Sequence, residues 1–519
     1  MATAPIESLK LVRFWNQGTD EPDGLFDDWD DAEDLIQAVI ESDPRFGSII
    51  DPRDVKRIAY SSELAAIKRF SEWYKSDPEF REHVADNPQE AVEKYGIGIT
   101  AEEVACLWDA RQAEKLDRDT EWTPPLAILR HKLFMKEKLL HRGRLRTEGC
   151  APQDSRHRAW RHRQIRRGLA ELGTALYQGI VHAPFAIELS EGCSVGCWFC
   201  GVSAEKKKSD FLYTDENAAL WKEVLGVLSR KMGPAASTGF CYWATDPLDN
   251  PDYEKFCLDF SRICGVFPQT TTAQAHKHIE RTKKLLALSN EHGCTINRFS
   301  VLTLKAFKKI MEAFTAEEML HCEIVPQNFE TEHFQSSAGR ARNSRGMLKK
   351  KERLHVPKEA EMPPGTIACI SGFLINMVTR TIRLITPCAA SEAWPDGYWI
   401  LDEAVFETAL DFEYQIERMT TEHMRQSLRS TDLIKLHPAV KLDRNQDTLL
   451  IKGSDTVIQL PNSVHLEEFL RSGSSQAGEI AVRIEDQSGI PAYQTMALLN
   501  TFFEHGILDE APARSSAAK

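Results

Sequence analysis

The sequence predicts an α/β chain, on three observations. Between His182 and about Asn328, short β-rich runs alternate with helical segments. The composition is that of an ordinary folded protein, with 42% hydrophobic and 27% charged residues. No run approaches the ~18 uninterrupted apolar residues that would span a bilayer. Regular strand–helix alternation implies a parallel sheet with right-handed crossovers, open or barrel-like.

The elements follow in chain order. Candidate strands are APFAIEL (183–189), STGFCYWA (237–244), PQTTTAQA (268–275), TINRFSVL (295–302) and HCEIVPQ (321–327). Helices are expected near Thr214–Arg230, Pro251–Cys264, Lys277–His292 and Leu304–Ala313. Ligands of such folds sit at the carboxyl ends of the strands. The loops after Leu189, Ala244, Ala275, Leu302 and Gln327 should therefore surround one site.

Before this core, residues 1–120 read as an acidic arm and a small helical domain. Nine of the fifteen residues Asp20–Asp34 are acidic. Asp77-Pro78 and Asn87-Pro88 look like caps followed by proline at the first helical position, and Gly96 and Gly98 like a stop. Residues 121–181 form a basic helical connector. Arg130–Arg167 holds 13 Lys or Arg against Glu137, Glu148 and Asp154. Such a segment either packs against acidic parts of its own chain or attracts an anionic partner.

After the alternating region (182–345), residues 346–410 hold TIACISGFLINMVTRTIRLITPC, two strands around a turn near Thr379-Arg380. In 411–511 a hairpin turning at Gly453-Ser454 precedes three helices, a winged-helix-like order. Residues 512–519 read as a disordered tail. The net charge of −13 argues against general nucleic-acid binding. The start, MATAPIESLKLVRFWNQG, has no apolar signal region, so a cytoplasmic chain with no membrane anchor is expected.

Chemistry concentrates in ELSEGCSVGCWFCGVS, where the chain leaves the first candidate strand. Cys193, Cys197 and Cys200 are three soft thiol ligands of the kind that select iron–sulfur clusters, zinc or copper(I). Structural zinc wants four ligands. A 4Fe–4S cube usually takes four cysteines. Three leave one iron open to chelate a small molecule. A zinc site completed by a distant ligand, or three unrelated buried thiols, are the competing explanations.

This C-x3-C-x2-C spacing, with aromatic Phe199 before the last cysteine and on the loop after a first strand, resembles the radical S-adenosylmethionine (SAM) superfamily. The resemblance implies a partial (β/α)6 radical SAM barrel, with one 4Fe–4S cluster on Cys193, Cys197 and Cys200 and with SAM as cofactor. It also implies a 5′-deoxyadenosyl radical that abstracts hydrogen from carbon. YWATDPLDNP takes the place of the motif that binds the SAM amino group, in an unusual form, pointing to Thr245 and Asp246. Asp249 and Asn250 there also read as helix caps. Arg298 and Ser300 alternate with apolar residues, and Arg298 suits the methionine carboxylate by a forked hydrogen bond. Thr271 and Gln327 are further polar candidates.

Within that superfamily, YWATDPLDNPDY, QTTTAQA, NRFSVLT and IACISGFLINMVTRTIRLITPCAASEAWPDGYW are similar to enzymes that mature ribosomal peptides, most of all the proteusin-type amino-acid epimerases. The implied reaction converts L- to D-residues in a precursor peptide. Epimerisation needs a second hydrogen donor on the opposite face, and a thiol suits this. Cys369 and Cys388 are the cysteines after the alternating region, and Cys369, expected mid-strand, is preferred. With no cysteine beyond Cys388, no auxiliary cluster is expected. The winged-helix-like domain would capture the leader of the precursor by strand addition at 455–460. An electron donor such as a flavodoxin or ferredoxin is a further implied partner. Another radical reaction on the same substrate class, such as crosslinking, and a non-catalytic peptide-binding metal protein are the alternatives.

Overall fold

The computed structural model describes residues 61–112, 125–177, 179–294, 296–328, 337–343, 365–454, 457–461 and 463–512. The acidic arm Asp20–Asp34 and nearly all of the expected tail lie outside them. Among the described residues no helix is long and apolar enough to cross a membrane.

Helices α1 (Ser61–Ser76), α2 (Pro78–Asp86) and α3 (Pro88–Lys94) open the chain. The Asp77 side chain caps α2 by accepting from the Glu79 amide at 3.0 Å, with Pro78 in the first turn as expected. α4 (Leu126–Arg144) and α5 (Ser155–Leu172) carry the basic segment. Next come β1 (Ala183–Glu188), α6 (Asp215–Met232), α7 (Tyr253–Cys264), β2 (Thr271–Thr272), α8 (Ile279–Glu291), β3 (Asn297–Val301), α9 (Leu304–Ala313) and β4 (Cys322–Pro326). The strand–helix alternation is therefore present, and β2, β3 and β4 pair in parallel.

Two expectations need correction here. STGFCYWA is not a regular strand. Gly233–Thr238 coils into a 3₁₀ turn, held by Ser237 Oγ on the Pro234 carbonyl and Thr238 Oγ1 on that of Ala235. Only Phe240 bridges to Ala186, its carbonyl accepting from the Ile187 amide at 2.9 Å. Second, the hairpin expected beyond the alternating region is part of the same sheet as β1. A short helix α10 (Gly339–Asn343) intervenes, then β5 (Ile370–Asn376) pairs in parallel with β1 on its other side. The expected hairpin is present, with β6 (Thr381–Pro387) antiparallel to β5 and Arg380 at φ 51° in the turn. β7 (Tyr398–Val405), absent from the sequence expectation, completes the order β1-β5-β6-β7.

β1 has two faces. Phe185 and Ile187 join the large core beneath α6 and α7, together with Trp221, Phe256 and Phe260. Ala183 and Ala186 point the other way, into a smaller cluster with Phe240, Ile370, Leu374 and Ile385 that walls the lumen. After α11 (Ala409–His423), the chain forms a three-stranded antiparallel sheet: β8 (Lys441–Asn445), β9 (Thr448–Lys452) and β10 (Val457–Pro461). Helices α12 (Glu467–Ser472), α13 (Ala477–Ser488) and α14 (Ala492–Glu504) pack on it around Ile451, Ile480, Leu499 and Phe502. Among the described residues, β10 is an edge strand, paired with β9 alone.

Helix α5 joins these parts with three of its six arginines, while Arg156, Arg158 and Arg166 stay exposed. Arg161, Arg163 and Arg167 are fully buried. Arg161 donates to the carbonyls of His182 (2.8 Å) and Val181 (2.9 Å). Arg163 pairs with Glu510 at 2.7 Å and stacks on Phe503, its guanidinium carbon 3.9 Å from the ring centre. Arg167 donates to the Pro387 carbonyl, pairs with Glu171 at 2.7 Å and stacks on Trp399. These arginines bind their own chain and are not available to an anionic partner.

Candidate functional site

β1 ends at Glu188, and the following loop carries Cys193, Cys197 and Cys200, all half-buried. The loop folds back on itself. The Cys193 amide donates to the Glu205 carbonyl at 2.9 Å, and the Lys207 amide to the Cys193 carbonyl at 3.2 Å. The Cys200 sulfur accepts from the Ala204 amide at 3.3 Å. Phe199 stands edge-on to Trp198, centroids 5.2 Å apart. Burial pushes the Cys193 thiol up to about 11 and that of Cys197 up to about 12. Free, these two keep their protons at neutral pH. A bound cation is what would turn them into thiolates.

Among the described residues, the three sulfurs do not all lie within 4.8 Å of one another. A single zinc ion, with Zn–S bonds of about 2.3 Å, would draw three thiolates to within ~4 Å of each other. The soft donors and the amide–sulfur bond suit a thiophilic metal centre.

Neighbouring loops are tied to this one. Asp249 accepts from the Ser194 amide (2.8 Å) and Ser194 hydroxyl, and also from Gln274 Nε2 (2.8 Å). One carboxylate thus joins the loops after β1, the Phe240 segment and β2. From the far side, α10 rests on the cysteine loop. The Arg340 guanidinium donates to the carbonyls of Cys197 (3.1 Å) and Ala204, and its amide to that of Cys200 (2.8 Å). Ser203 donates to Asp396 at 2.6 Å.

The lumen lies below these loops. Glu188 accepts from the Ala244 amide at 2.8 Å and from Asn376 Nδ2 at 3.0 Å, tying β1 to both neighbours. On β3, Asn297, Phe299 and Val301 are buried while Arg298 and Ser300 are half-buried, so the expected alternation holds. Arg298 sits in register with Thr271 on β2 and Glu323 on β4, and its Nε meets Glu323 at 3.2 Å. Thr271 shares a hydrogen bond with the Tyr242 hydroxyl at 2.9 Å. Gln327, just past β4, is buried, and its amide donates to the Val301 carbonyl at 2.8 Å.

Thr245 is half-buried in the loop after the Phe240 segment. Asp246 beside it is buried and bonded within the fold, accepting from Thr272 Oγ1 (2.8 Å), the Ala273 amide (2.8 Å) and the Leu248 amide (3.0 Å). Most of its acceptor capacity therefore serves to join two loops. Burial pushes the carboxyls of both Glu188 and Asp246 upward.

The two candidate donor thiols separate clearly. Cys369 precedes β5 instead of lying mid-strand, and its carbonyl accepts from the Ala183 amide at 2.9 Å. It packs on the lumen cluster with Tyr242 and Trp243, where burial pushes its thiol up to about 11. Cys388 is buried beside Arg167 and Glu171 on the α5 side. Sequence reasoning missed Glu188, Glu323 and Arg340. Glu188 and Glu323 had a signal, a lone carboxylate in an apolar strand. Arg340 had none, in a polar loop without periodicity.

No family model matches the chain. It is 36% identical over 459 residues to the uncharacterized protein y4wI of Sinorhizobium fredii (strain NBRC 101917 / NGR234), a match covering 86% of this chain and 87% of that protein. The chain belongs to the same family as y4wI. Among solved structures, the crystal structure of BtrN in complex with AdoMet and 2-DOIA is similar over 39% of this chain and 72% of that one, at 16% identity and a TM-score of 0.26. That structural likeness is slight.

Proposed function

We propose that this protein is a radical SAM enzyme that inverts amino-acid residues in a ribosomal precursor peptide. One observation carries this: the cysteine triad and Cys369 lie at opposite ends of β1. Cys369 is bonded at its Ala183 end, and the triad follows its other end. At about 3.3 Å per residue, the six residues of β1 put ~20 Å between the two ends. The cluster and SAM would extend from the triad toward Cys369, so that a substrate carbon in contact with both the deoxyadenosyl group and the thiol could lose hydrogen to one and regain it from the other.

Cys193, Cys197 and Cys200 would hold a 4Fe–4S cluster through three of its irons. When bound, the cluster and SAM supply a 5′-deoxyadenosyl radical able to take hydrogen from Cα. Arg298 would receive the methionine carboxylate, with Ser300 and Thr271 on the same lumen face. The loop at Thr245 would face the SAM ammonium. Cys369 keeps its S–H at neutral pH, so it can pass a hydrogen atom to the planar carbon radical from the opposite face. The sulfur is left as a thiyl, which regains one electron from an external carrier of the flavodoxin or ferredoxin type and one proton from solvent. The unpaired edge of β10 would take up the leader as an added strand.

The test begins with anaerobic reconstitution, followed by reaction in deuterated water with a leader-bearing precursor encoded beside the gene. Iron and sulfide should bind, deoxyadenosine should form, and each inverted residue should gain one mass unit. Loss of hydrogens from the peptide would instead signal crosslinking. Zinc in place of iron, or SAM left intact on reduction, would overturn the proposal. Cys369→Ala should still form deoxyadenosine without inverting, and Cys388→Ala should invert; the reverse pattern rejects Cys369 as donor.

A further inference from the structure

The N-terminal helices share one core with the last parallel strands. Ile67, Phe70 and Trp73 of α1 pack with Phe299, Phe307, Ile310 and Cys322. Trp73 meets Phe307 edge-on at 4.9 Å. Lys68, buried, donates to the Cys322 carbonyl at 2.7 Å, and Arg69 to that of Met311 at 3.3 Å. α4 is fastened to α1 by Arg130 and Glu63 at 2.9 Å.

From α4, Lys138 reaches Glu323, and Arg142 of the same helix acts on that carboxylate as well. Lys138 Nζ lies 2.8 Å from Glu323 Oε1, with the two side chains 12% and 22% exposed. The other oxygen, Oε2, meets Arg298 Nε at 3.2 Å. The carboxylate is thus divided, one oxygen to each cation. Burial opposes its charge, but Lys138, Arg298 and Arg142 override this and hold Glu323 well below the usual carboxylate range. Among the described residues, the terminal Nη atoms of Arg298 find no protein acceptor, and its side chain is 36% exposed. Two cations share one anion, so positive charge is left over in the lumen.

We infer that Lys138 is a positioning residue: by drawing Glu323 Oε1 toward α4 it holds the carboxylate so that only Oε2 meets Arg298, through Nε, and leaves the Arg298 Nη atoms for a ligand carboxylate. The N-terminal helices therefore form the wall that sets the charge of the binding chamber. The carboxylate is that of the methionine moiety of SAM, and in this the inference rests on the radical SAM reading. Without Lys138, both oxygens of Glu323 are available to the guanidinium, the stronger bidentate arrangement, and the ligand must compete with it.

The test measures binding of SAM and of decarboxylated SAM to the full-length, anaerobically reconstituted chain by equilibrium dialysis. Lys138→Met preserves the methylene packing beside Phe134. It should weaken SAM about tenfold, the worth of one charge-assisted contact, and leave decarboxylated SAM unchanged. Glu323→Gln added to Lys138→Met should restore most of the SAM affinity, because the amide no longer captures the guanidinium. A role in folding alone would weaken both ligands together, with no rescue, and overturns the inference. So does unchanged SAM affinity in Lys138→Met while the wild-type protein binds SAM. A wild-type protein that binds neither ligand overturns the radical SAM reading itself, and this inference with it.

Discussion

Gly339 is where one methyl group should do the most damage to the cysteine loop. Its φ is +56°, and a Cβ there would stand 2.5 Å from the Gly201 carbonyl carbon and oxygen and 2.6 Å from the Cys200 oxygen. All three are backbone atoms, which cannot rotate away. An L-residue held in the left-handed region costs ~1–2 kcal/mol. Overpacking against a fixed neighbour adds ~1–3 kcal/mol. Gly339→Ala therefore strains the contact by about 2–5 kcal/mol, and the contact is held by the three Arg340 hydrogen bonds onto Cys197, Cys200 and Ala204. We expect α10 to lift off the loop while the rest of the fold persists. The assay is the alkylation rate of Cys193, Cys197 and Cys200 in the metal-free chain, each thiol followed by peptide mass. That rate should rise at least about tenfold, with far-ultraviolet dichroism unchanged, since 1.4 kcal/mol already shifts an opening equilibrium tenfold. Gly98→Ala is the control, because a Cβ there meets nothing within 4 Å. Alkylation of Gly339→Ala at the wild-type rate would refute the clamp.

Two further outcomes follow from the α5 joint. Arg163→Met leaves Glu510 largely buried without its partner and removes the stack on Phe503. Breaking such a pair from one side costs ~3–5 kcal/mol, so urea should unfold the 430–512 region before the rest, with new proteolytic cuts near Arg425–Asp432. His157 is buried, its Nε2–H donates to the Ser371 carbonyl at 3.0 Å, and burial pulls its titration down to about 4. Its folded value lies below the ordinary 6.5, so the unfolded chain binds the extra proton first and stability falls as pH drops from 6.5 toward 4. The loss is ~1.4 kcal/mol per pH unit for this histidine alone. His157→Gln should flatten that part of the urea-midpoint profile, and an unchanged slope would clear His157 of the effect.

What was legible in the sequence was local. Asp77-Pro78 announced a helix start because cap chemistry is read within four residues. Arg298 and Ser300 announced a shared face because a strand repeats every two residues. The place of the cysteine loop, just after β1, was legible because an apolar run ends in a polar, glycine-bearing segment. What stayed hidden depended on distant partners. Nothing in ISGFLIN says that it will lie parallel to APFAIE across 180 residues of chain. The charges of Arg161, Arg163 and Arg167 could not be assigned to a partner from sequence, because their acceptors, backbone carbonyls near 182 and 387 and Glu510, come from elsewhere. STGFCYWA has strand composition, but its Ser and Thr hydroxyls bond the preceding carbonyls and bend it into a turn. Lys138 was one lysine among many until its carboxylate was placed.

The buried arginines of α5 have a bearing on how this molecule can be cut. A severed C-terminal module would strand Glu510 and bare the Phe503 ring, while the remainder would keep a guanidinium in a dry pocket with its counter-ion gone. Neither fragment would be a faithful miniature of the whole. Grafting a foreign recognition module onto this chain would therefore mean transplanting α5 as well, and the two ends of the polypeptide should drift through evolution as a single unit.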